Sequence, residues 1–392
     1  MIVKIDNFSH DFKGITKINN KVTFVDNALP NEVVDIKITK EKKNYNEGKI
    51  ISYIEKSSDR TNFICPYYGI CGGCDTGHII YNKSLEYKKD IVTNIMKKYA
   101  NININPDIIY GDNLYYRNKI SLKVYKGKLS LVKENTNEFI NIDKCYLVND
   151  NINNIINKLN NINLDGINDI VIRGTDDIMV IINGNTNINN IINYLKYDLS
   201  SIIYNRKVVY GNEYITINIK DKKYAIYPNS FFQVNTNMIS KLYDKVLEYS
   251  GNGNKLLDLY CGAGTIGIYL ANNFKDITGI EVNEDSIKGA NLNKEINNIS
   301  NINFKCMKAS DIEINNYDTV VVDPPRNGLD KITINKLYNS NTPNIIYVSC
   351  NPITLARDIN ILKDKYDLKD ITLFDNFPNT KHIETVCILE RR

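Results

Sequence analysis

The chain has 392 residues, a length typical of two or three domains. Hydrophobic residues make up 43% and charged residues 24%, a balance that excludes a disordered tail and a collagen-like fibre. The chain contains no apolar run long enough for a membrane helix, and its first residues, MIVKIDNFSHDFKG, do not resemble a signal peptide. We therefore expect a cytoplasmic protein without a membrane partner. The net charge of +4 permits an anionic partner without requiring one.

Residues 1–58 alternate between apolar and polar positions in four short segments, 13–18, 21–25, 32–39 and 48–54. Turn residues separate these segments, so the pattern predicts a small closed β-barrel. The stretch 37–49 carries five Lys against two Glu. It is interpreted either as a solvated edge hairpin that resists aggregation or as a surface that contacts nucleic-acid phosphates.

Residues 59–220 form the least regular part of the sequence. They open with a group of cysteines, continue through a predicted amphipathic helix at 84–99, and become a mixture of strands and helices. The stretch 116–128, YRNKISLKVYKGK, carries Arg117 and four lysines but no acid. Such a run is usually a solvated face, although its interleaved tyrosines would also suit contact with an RNA strand.

Residues 221–392 repeat a strand–turn–helix pattern. Short apolar runs at 255–259, 276–281, 319–322 and 344–349 each end at glycine, proline or polar residues. This pattern predicts a doubly wound α/β sheet, in which ligands bind beyond the carboxyl ends of the strands.

The most informative single motif is Asp258-Leu-Tyr-Cys-Gly262-Ala-Gly264-Thr, where an apolar strand meets two glycines and then a helix. Two glycines alone are compatible with a structural tight turn. Glu281 ends the next predicted strand, where a carboxylate is placed to accept hydrogen bonds from two ribose hydroxyls. Together these residues resemble the S-adenosylmethionine (SAM) site of Rossmann-like methyltransferases.

Two further groups follow predicted strands at the same edge, and a third group lies 34 residues beyond Cys350. Asp323-Pro-Pro-Arg is either a rigid strand-end turn or a loop that faces a ligand, and Cys350 in Ser-Cys-Asn-Pro is either an inert thiol or a nucleophile. Glu384, in His382-Ile-Glu384-Thr-Val386, is an unfavourable residue to bury without a function. A thiolate that adds to C6 of uracil makes C5 nucleophilic toward a methyl donor, and a carboxylate can then remove the C5 proton.

Four cysteines form a second pattern: Cys65, Cys71 and Cys74 lie close together, and Cys145 lies far along the chain. Such thiols suit a tetrahedral zinc site or an iron–sulfur cluster. The spacing alone does not decide between these metals, and unrelated structural thiols are the third interpretation.

These motifs, together with Phe231-Phe-Gln233-Val-Asn235, resemble the family of SAM-dependent RNA uridine-5-methyltransferases over essentially the whole chain. The resemblance implies that Cys350 is the catalytic nucleophile and Glu384 the proton acceptor. It also implies that Gln233, Tyr260, Glu281 and Asp323 bind SAM. Cys65, Cys71, Cys74 and Cys145 match the family branch that carries a [4Fe–4S] cluster, and residues 1–58 resemble the TRAM domain of that branch.

The expected fold is accordingly α/β with three domains. They are a TRAM-like or OB-like RNA-binding β-barrel (1–58), a central α/β domain with the iron–sulfur cluster (59–220) and a Rossmann-like SAM methyltransferase domain (221–392). The predicted helix at 84–99 is expected to pack on the last domain rather than on the central one.

The family branch implies 23S ribosomal RNA as substrate and a monomeric enzyme, with the T-loop uridine of tRNA as the alternative. An RNA-binding factor without catalysis is disfavoured because Cys350 and Glu384 are both present. A small-molecule methyltransferase is disfavoured by the N-terminal RNA-type domain.

Overall fold

The computed structural model describes residues 1–392. Its first sheet has six strands in the order β1-β5-β6-β4-β3-β2. The strands are β1 (Ile2–Lys4), β2 (Asn7–Phe8), β3 (Gly14–Ile18), β4 (Lys21–Asp26), β5 (Val33–Glu41) and β6 (Tyr45–Glu55). Because β1 pairs with β5 while β2 pairs with β3, the segment 2–8 joins the two edges of the sheet. The predicted barrel therefore forms, around a small core of Ile5, Val25, Ala28, Val34 and Ile36.

Helix α1 (Tyr81–Ile95) continues into a π-helical turn at Met96–Ala100. The apolar residues Ile91, Val92 and Ile95 share one core with residues of the C-terminal sheet and its helices. Strand β7 (Asp107–Ile109) then pairs with the outermost long strand of that sheet. The segment 81–109 thus packs on the C-terminal domain, which settles the packing of the predicted helix.

The second sheet has seven strands in the order β10-β9-β8-β11-β12-β13-β14. They are β8 (Lys119–Tyr125), β9 (Lys128–Val132), β10 (Phe139–Asn141), β11 (Ile167–Gly174), β12 (Ile178–Gly184), β13 (Ser201–Tyr204) and β14 (Lys207–Gly211). Helices α2 (Asp150–Asn160) and α3 (Asn189–Leu195) cover it. In the Asn-rich helix α2, the spacing of Ile152, Ile155, Ile156 and Leu159 puts all four on the buried face.

The C-terminal sheet has eight strands in the order β19-β18-β17-β20-β21-β23-β22-β7. Its strands after β7 are β17 (Gly253–Leu259), β18 (Phe274–Glu281), β19 (Ile302–Cys306), β20 (Thr319–Val322), β21 (Asn344–Ser349), β22 (Tyr366–Phe374) and β23 (Glu384–Arg391). The helices are α4 (Thr236–Ser250), α5 (Thr265–Tyr269), α6 (Glu284–Ile296), α7 (Lys331–Asn339) and α8 (Pro352–Leu362). A hairpin of β15 (Ile215–Ile219) and β16 (Lys222–Ile226) shares a core with α4.

Strands β17 to β21 of this sheet are parallel, whereas β23 runs antiparallel between β21 and β22. The predicted α/β class, with a doubly wound C-terminal sheet and a small N-terminal barrel, is therefore confirmed. None of the helices combines the length and the apolar character that crossing a membrane requires.

Candidate active site

The C-terminal sheet brings five of the predicted residues to one edge. Tyr260 follows β17, Glu281 ends β18, Asp323 follows β20 and Cys350 follows β21. Because β23 is antiparallel, its first residue, Glu384, lies at that same edge. Ser349 pairs with Thr385 across the two strands, so Glu384 is placed next to Cys350.

The glycine turn after β17 leaves an open space for a ligand. Gly262 and Gly264 have φ values of +52° and +75°, which favour glycine. A Cβ at Gly264 would come within 2.5 Å of the Phe304 ring, whereas a Cβ at Gly262 would meet no atom within 4 Å. Gly264 is thus required for packing, and the free space lies over Gly262.

The carboxylate of Glu281 is held in a fixed orientation beside this turn. Its Oε2 accepts a hydrogen bond from the Gly262 amide at 3.2 Å. Its Oε1 accepts two more from the amides of Val282 and Asn283, each at 2.8 Å. A carboxylate with three backbone donors cannot rotate freely and is prepared to receive hydroxyl groups of a ligand.

Two other acids at this edge are held in an unfavourable environment. Burial raises the pKa of Asp258 to about 7, and the negative charges of Asp323 and Glu281 act in the same direction. Asp258 accepts from the Gly267 amide through Oδ2 at 3.0 Å, while its Oδ1 has no partner. Burial also raises the pKa of Asp323 to about 7. A cationic ligand would relieve this accumulation of acids.

Cys350 lies in a turn that hydrogen bonds hold on both sides. The Asn351 amide donates to the Ser349 hydroxyl at 3.1 Å, and the Asn351 side chain donates to the Arg326 carbonyl at 3.0 Å. Burial raises the pKa of the Cys350 thiol to about 11, the charges of Glu384 and Asp323 raise it as well, and Arg326 opposes them. The thiol is therefore protonated at neutral pH in the free protein.

Glu384 is only 3% exposed and forms no side-chain hydrogen bond. Burial raises its pKa well above the usual range, and the charge of Asp323 adds to this effect, while Arg326 opposes it. Arg326 is the cation that faces both Glu384 and Cys350, and its guanidinium lies 3.5 Å from His382 Nε2.

The second sheet holds the segment that contains Gln233. Asn118 donates from its side chain to the Gln233 carbonyl at 3.0 Å and from its amide to the Val234 carbonyl at 2.8 Å. Arg173 Nη1 donates at 2.9 to 3.1 Å to three main-chain carbonyls just before Gln233, those of Tyr227, Pro228 and Ser230. The Gln233 side chain forms no hydrogen bond with the protein. Tyr260, which is also predicted to contact SAM, donates its hydroxyl to Asp330 at 3.4 Å.

The four predicted metal ligands line one cavity of about 1020 Å³ in the middle of the chain. Burial raises the pKa of the Cys74 thiol to about 12, and the charge of Cys145 acts in the same direction. However, no three or more Cys, His, Asp or Glu side chains are arranged so that they could hold a metal ion. The arrangement therefore lends no support to a preformed metal site, although it brings the four thiols to a common space.

Several residues of the site were not singled out from the sequence. Arg326 was part of a recognised motif without an assigned role, and Asp258 was noted only as the start of the glycine motif. Asn118 and Arg173 act on main-chain carbonyls more than 50 residues away in sequence. One sequence signal indicates such a hydrogen bond to distant main chain. It is an arginine within an apolar strand, as at Ile172-Arg173-Gly174, because a buried guanidinium needs acceptors.

Comparisons with known proteins agree with this geometry. The family model described as tRNA (uracil-5-)-methyltransferase matches residues 185–392, and the TRAM domain model matches residues 1–51. An uncharacterised RNA methyltransferase of Clostridium acetobutylicum is 34% identical over 99% of this chain and 96% of its own length. One of Halalkalibacterium halodurans is 30% identical over the same shares.

Among solved structures, the Pyrococcus abyssi tRNA (uracil-54, C5)-methyltransferase in complex with S-adenosyl-L-homocysteine is similar with a TM-score of 0.84. It is 27% identical, and the similarity covers 99% of this chain and 100% of that one. The fold and the site thus define an RNA methyltransferase with an N-terminal TRAM domain. Within that class, the chain belongs to the tRNA (uracil-5-)-methyltransferase family, whose members methylate C5 of uracil in RNA.

The raised pKa of Cys350 predicts slow alkylation at neutral pH. In the folded protein, the rate of iodoacetamide labelling at Cys350 should still rise about tenfold per pH unit above pH 9, because the thiolate remains a minor form below its pKa of about 11. Mass spectrometry of the Cys350 peptide measures this rate. In urea-unfolded protein, the same peptide should level off near pH 9. A plateau below pH 9 in the folded protein would contradict the prediction.

Proposed function

We propose that the protein transfers a methyl group from SAM to C5 of a specific uridine in 23S ribosomal RNA through a covalent adduct between Cys350 and uracil C6. The observation that carries this proposal is the register of β21 and β23, which puts Glu384 next to Cys350 at the edge that also bears Glu281 and Asp323. A nucleophile, a base and a cofactor site then share one crevice.

Gln233, Tyr260, Glu281 and Asp323 are proposed to bind SAM. The fixed carboxylate of Glu281 would accept the ribose hydroxyls, and the space over Gly262 would admit the ligand close to the backbone. SAM supplies an activated methyl group on a positively charged sulfonium. That charge favours the ionised forms of Asp258 and Asp323, whose pKa values burial holds near 7 in the free protein.

The chemical steps follow from the two catalytic residues. With the positive charge of SAM nearby, the Cys350 thiol releases its proton to solvent. The thiolate adds to C6 of uracil, and the electron pair released to C5 forms a bond to the methyl carbon as S-adenosylhomocysteine leaves. Glu384 then accepts the C5 proton, and the electron pair of that C–H bond re-forms the C5–C6 double bond and expels the thiolate. Glu384 must be ionised at this step, and the positive charge of bound SAM favours that form. Once methyl transfer removes this charge, burial, which raises the pKa of Glu384, makes its carboxylate a strong proton acceptor.

The RNA target is the part of the proposal with two candidates. The resemblance of the N-terminal domain and the four cysteines to the TRAM-containing, iron–sulfur branch favours 23S ribosomal RNA. The similarity to the Pyrococcus enzyme, which acts on tRNA, favours the T-loop uridine of tRNA instead.

The first experiment separates these targets. Purified protein and SAM are incubated with unmodified 23S ribosomal RNA and with unmodified tRNA, and 5-methyluridine is mapped by mass spectrometry of nuclease fragments. We expect 5-methyluridine in the ribosomal RNA and none in the tRNA. Methylation of tRNA alone would replace the ribosomal assignment with the alternative.

The second experiment tests the adduct. With RNA that contains 5-fluorouridine, the wild-type protein should form a complex that survives denaturing electrophoresis, because fluorine cannot leave as a proton. Cys350→Ala should form none and should lose at least about a thousandfold of the methylation rate, with SAM binding retained. Cys387→Ala, which removes a buried thiol from the same sheet, is the matched control and should still form the adduct. An adduct with Cys350→Ala would disprove the assignment of the nucleophile.

We further propose that Cys65, Cys71, Cys74 and Cys145 hold a [4Fe–4S] cluster. Two observations support this proposal. The four thiols line one cavity, and the charges of Cys65, Cys71 and Cys145 all raise the pKa of Cys74, as expected for thiols that lie close together. In a cubane each thiolate binds a different iron, so the ligands need not meet around a single ion. Since methyl transfer needs no electron, the cluster would be structural and would fix the loop 65–74 to the Cys145 segment.

Metal analysis tests this proposal without measuring activity. Anaerobically purified protein should be brown and contain about four iron and four sulfide per chain. Cys74→Ala should lose the colour and the iron, whereas Cys306→Ala should keep both, because Cys306 is exposed and lies outside the cavity. One zinc and no sulfide per chain would show that the site is a different metal centre.

A further inference from the structure

Helix α1 carries a lysine whose charge is completely buried. Lys88 Nζ lies 2.6 Å from Asp375 Oδ1, and the two side chains are 1% and 0% exposed. The other oxygen of Asp375 accepts a hydrogen bond from the Tyr81 hydroxyl at 2.8 Å. The same lysine ammonium donates to the carbonyl of His382 at 3.0 Å.

These contacts place one ammonium between the two ends of a single loop. Asp375 directly follows β22, and His382 lies two residues before Glu384, where β23 begins. Lys88 therefore joins the start and the end of the segment 375–383, which we call the base loop. Its middle is held by the Tyr116 hydroxyl, which donates to the Pro378 carbonyl at 3.0 Å, and by the amides of Asp75 and Thr76, which donate to Asn379.

Stability alone is a poor reason for this ion pair. The buried face of α1 includes Leu85, Val92 and Ile95, and Lys88 lies in the same stripe, where an apolar residue would pack without losing hydration. Replacing a buried ion pair by apolar residues is often neutral or stabilising, because desolvation of two charges offsets their attraction. What an apolar residue cannot supply is a donor for both Asp375 and the His382 carbonyl.

Glu384 depends on this support because no hydrogen bond fixes its own carboxyl group. The position of that group is set by the backbone at the start of β23, where Glu384 pairs with Phe374 of β22 and the base loop connects the two strands. We propose that Lys88 is a positioning residue for the base, and that it holds Glu384 where it can remove the C5 proton of the methylated uracil. The inference rests on the proposed function and adds a residue from outside the methyltransferase motifs.

The proposal predicts a defect in one step only. In Lys88→Met, methyl transfer to ordinary uridine RNA should proceed, but removal of the C5 proton should slow. The variant should accumulate the methylated covalent adduct, and kcat should fall about ten- to a hundredfold, the range expected for a catalytic group displaced by about 1 Å. kcat/KM for RNA should stay within about twofold of wild type, because it reports only the steps up to methyl transfer, and KM should fall together with kcat. Glu384→Gln should show the same accumulation and serves as the reference.

Two variants distinguish positioning from a general loss of stability. Glu32→Gln breaks another buried ion pair, between Glu32 and Arg60 at 2.6 Å in the barrel, and should lower the melting temperature without accumulating adduct. Tyr81→Phe removes only the hydroxyl that holds Asp375, so it provides a milder test if Lys88→Met does not fold. It should accumulate less adduct than Glu384→Gln but more than wild type.

The outcomes separate this inference from the proposed function. If wild-type protein forms no adduct with 5-fluorouridine RNA, the covalent mechanism itself fails. If the wild-type adduct forms and Glu384→Gln accumulates the methylated species, the function stands. In that case, wild-type turnover by Lys88→Met and Tyr81→Phe, or a rise in KM without adduct, would overturn the role of Lys88.

Discussion

The position of Glu384 beside Cys350 depends on the antiparallel pairing of β23 with β21. All other strands that contribute site residues run parallel and deliver them at their carboxyl ends, whereas β23 delivers Glu384 at its amino end. The Thr385 hydroxyl donates to the Ser349 carbonyl at 3.1 Å and reinforces the register next to Cys350. A slip by one residue would turn Glu384 to the opposite face of the sheet. The proximity of thiol and carboxyl is therefore a consequence of strand register.

The electrostatic state of the free site follows from this crowding. Asp258 and Glu384 are buried, half-buried Asp323 acts on both of them, and Arg326 is the cation that faces Cys350 and Glu384. Desolvation raises the pKa of all three acids, and the charge of Asp323 raises the pKa of Asp258 and Glu384 further. The free protein consequently keeps its thiol and much of its acid protonated. A cationic cofactor changes that balance, so cofactor binding and ionisation of the Cys350 thiol are expected to be coupled.

The sequence predicted the strands and turns whose formation depends on residues close together in the chain. The strand at 319–322 was found where the apolar run placed it, and the glycine turn and the strand-end residues lie at the predicted edge. The addition of β7 to the C-terminal sheet had no such signal, because it depends on pairing between residues more than 200 positions apart. Lys88 shows the same difference between local and long-range signals. Its place on the apolar stripe of α1 was visible in the sequence, but its partner Asp375 was not.

Residues 116–118 connect the cysteine cavity to the base loop and to the segment that contains Gln233. Tyr116 and Asn118 are buried and donate to main-chain carbonyls, Tyr116 to the base loop and Asn118 to the Gln233 segment. Arg117, between them, lines the cysteine cavity and donates through Nε to the Tyr116 hydroxyl at 3.3 Å. Because these contacts are directed at backbone, they fix the position of each loop whatever its side chains. Hydrogen bonds of three consecutive residues therefore link the cysteine cavity to the two loops that flank the candidate active site.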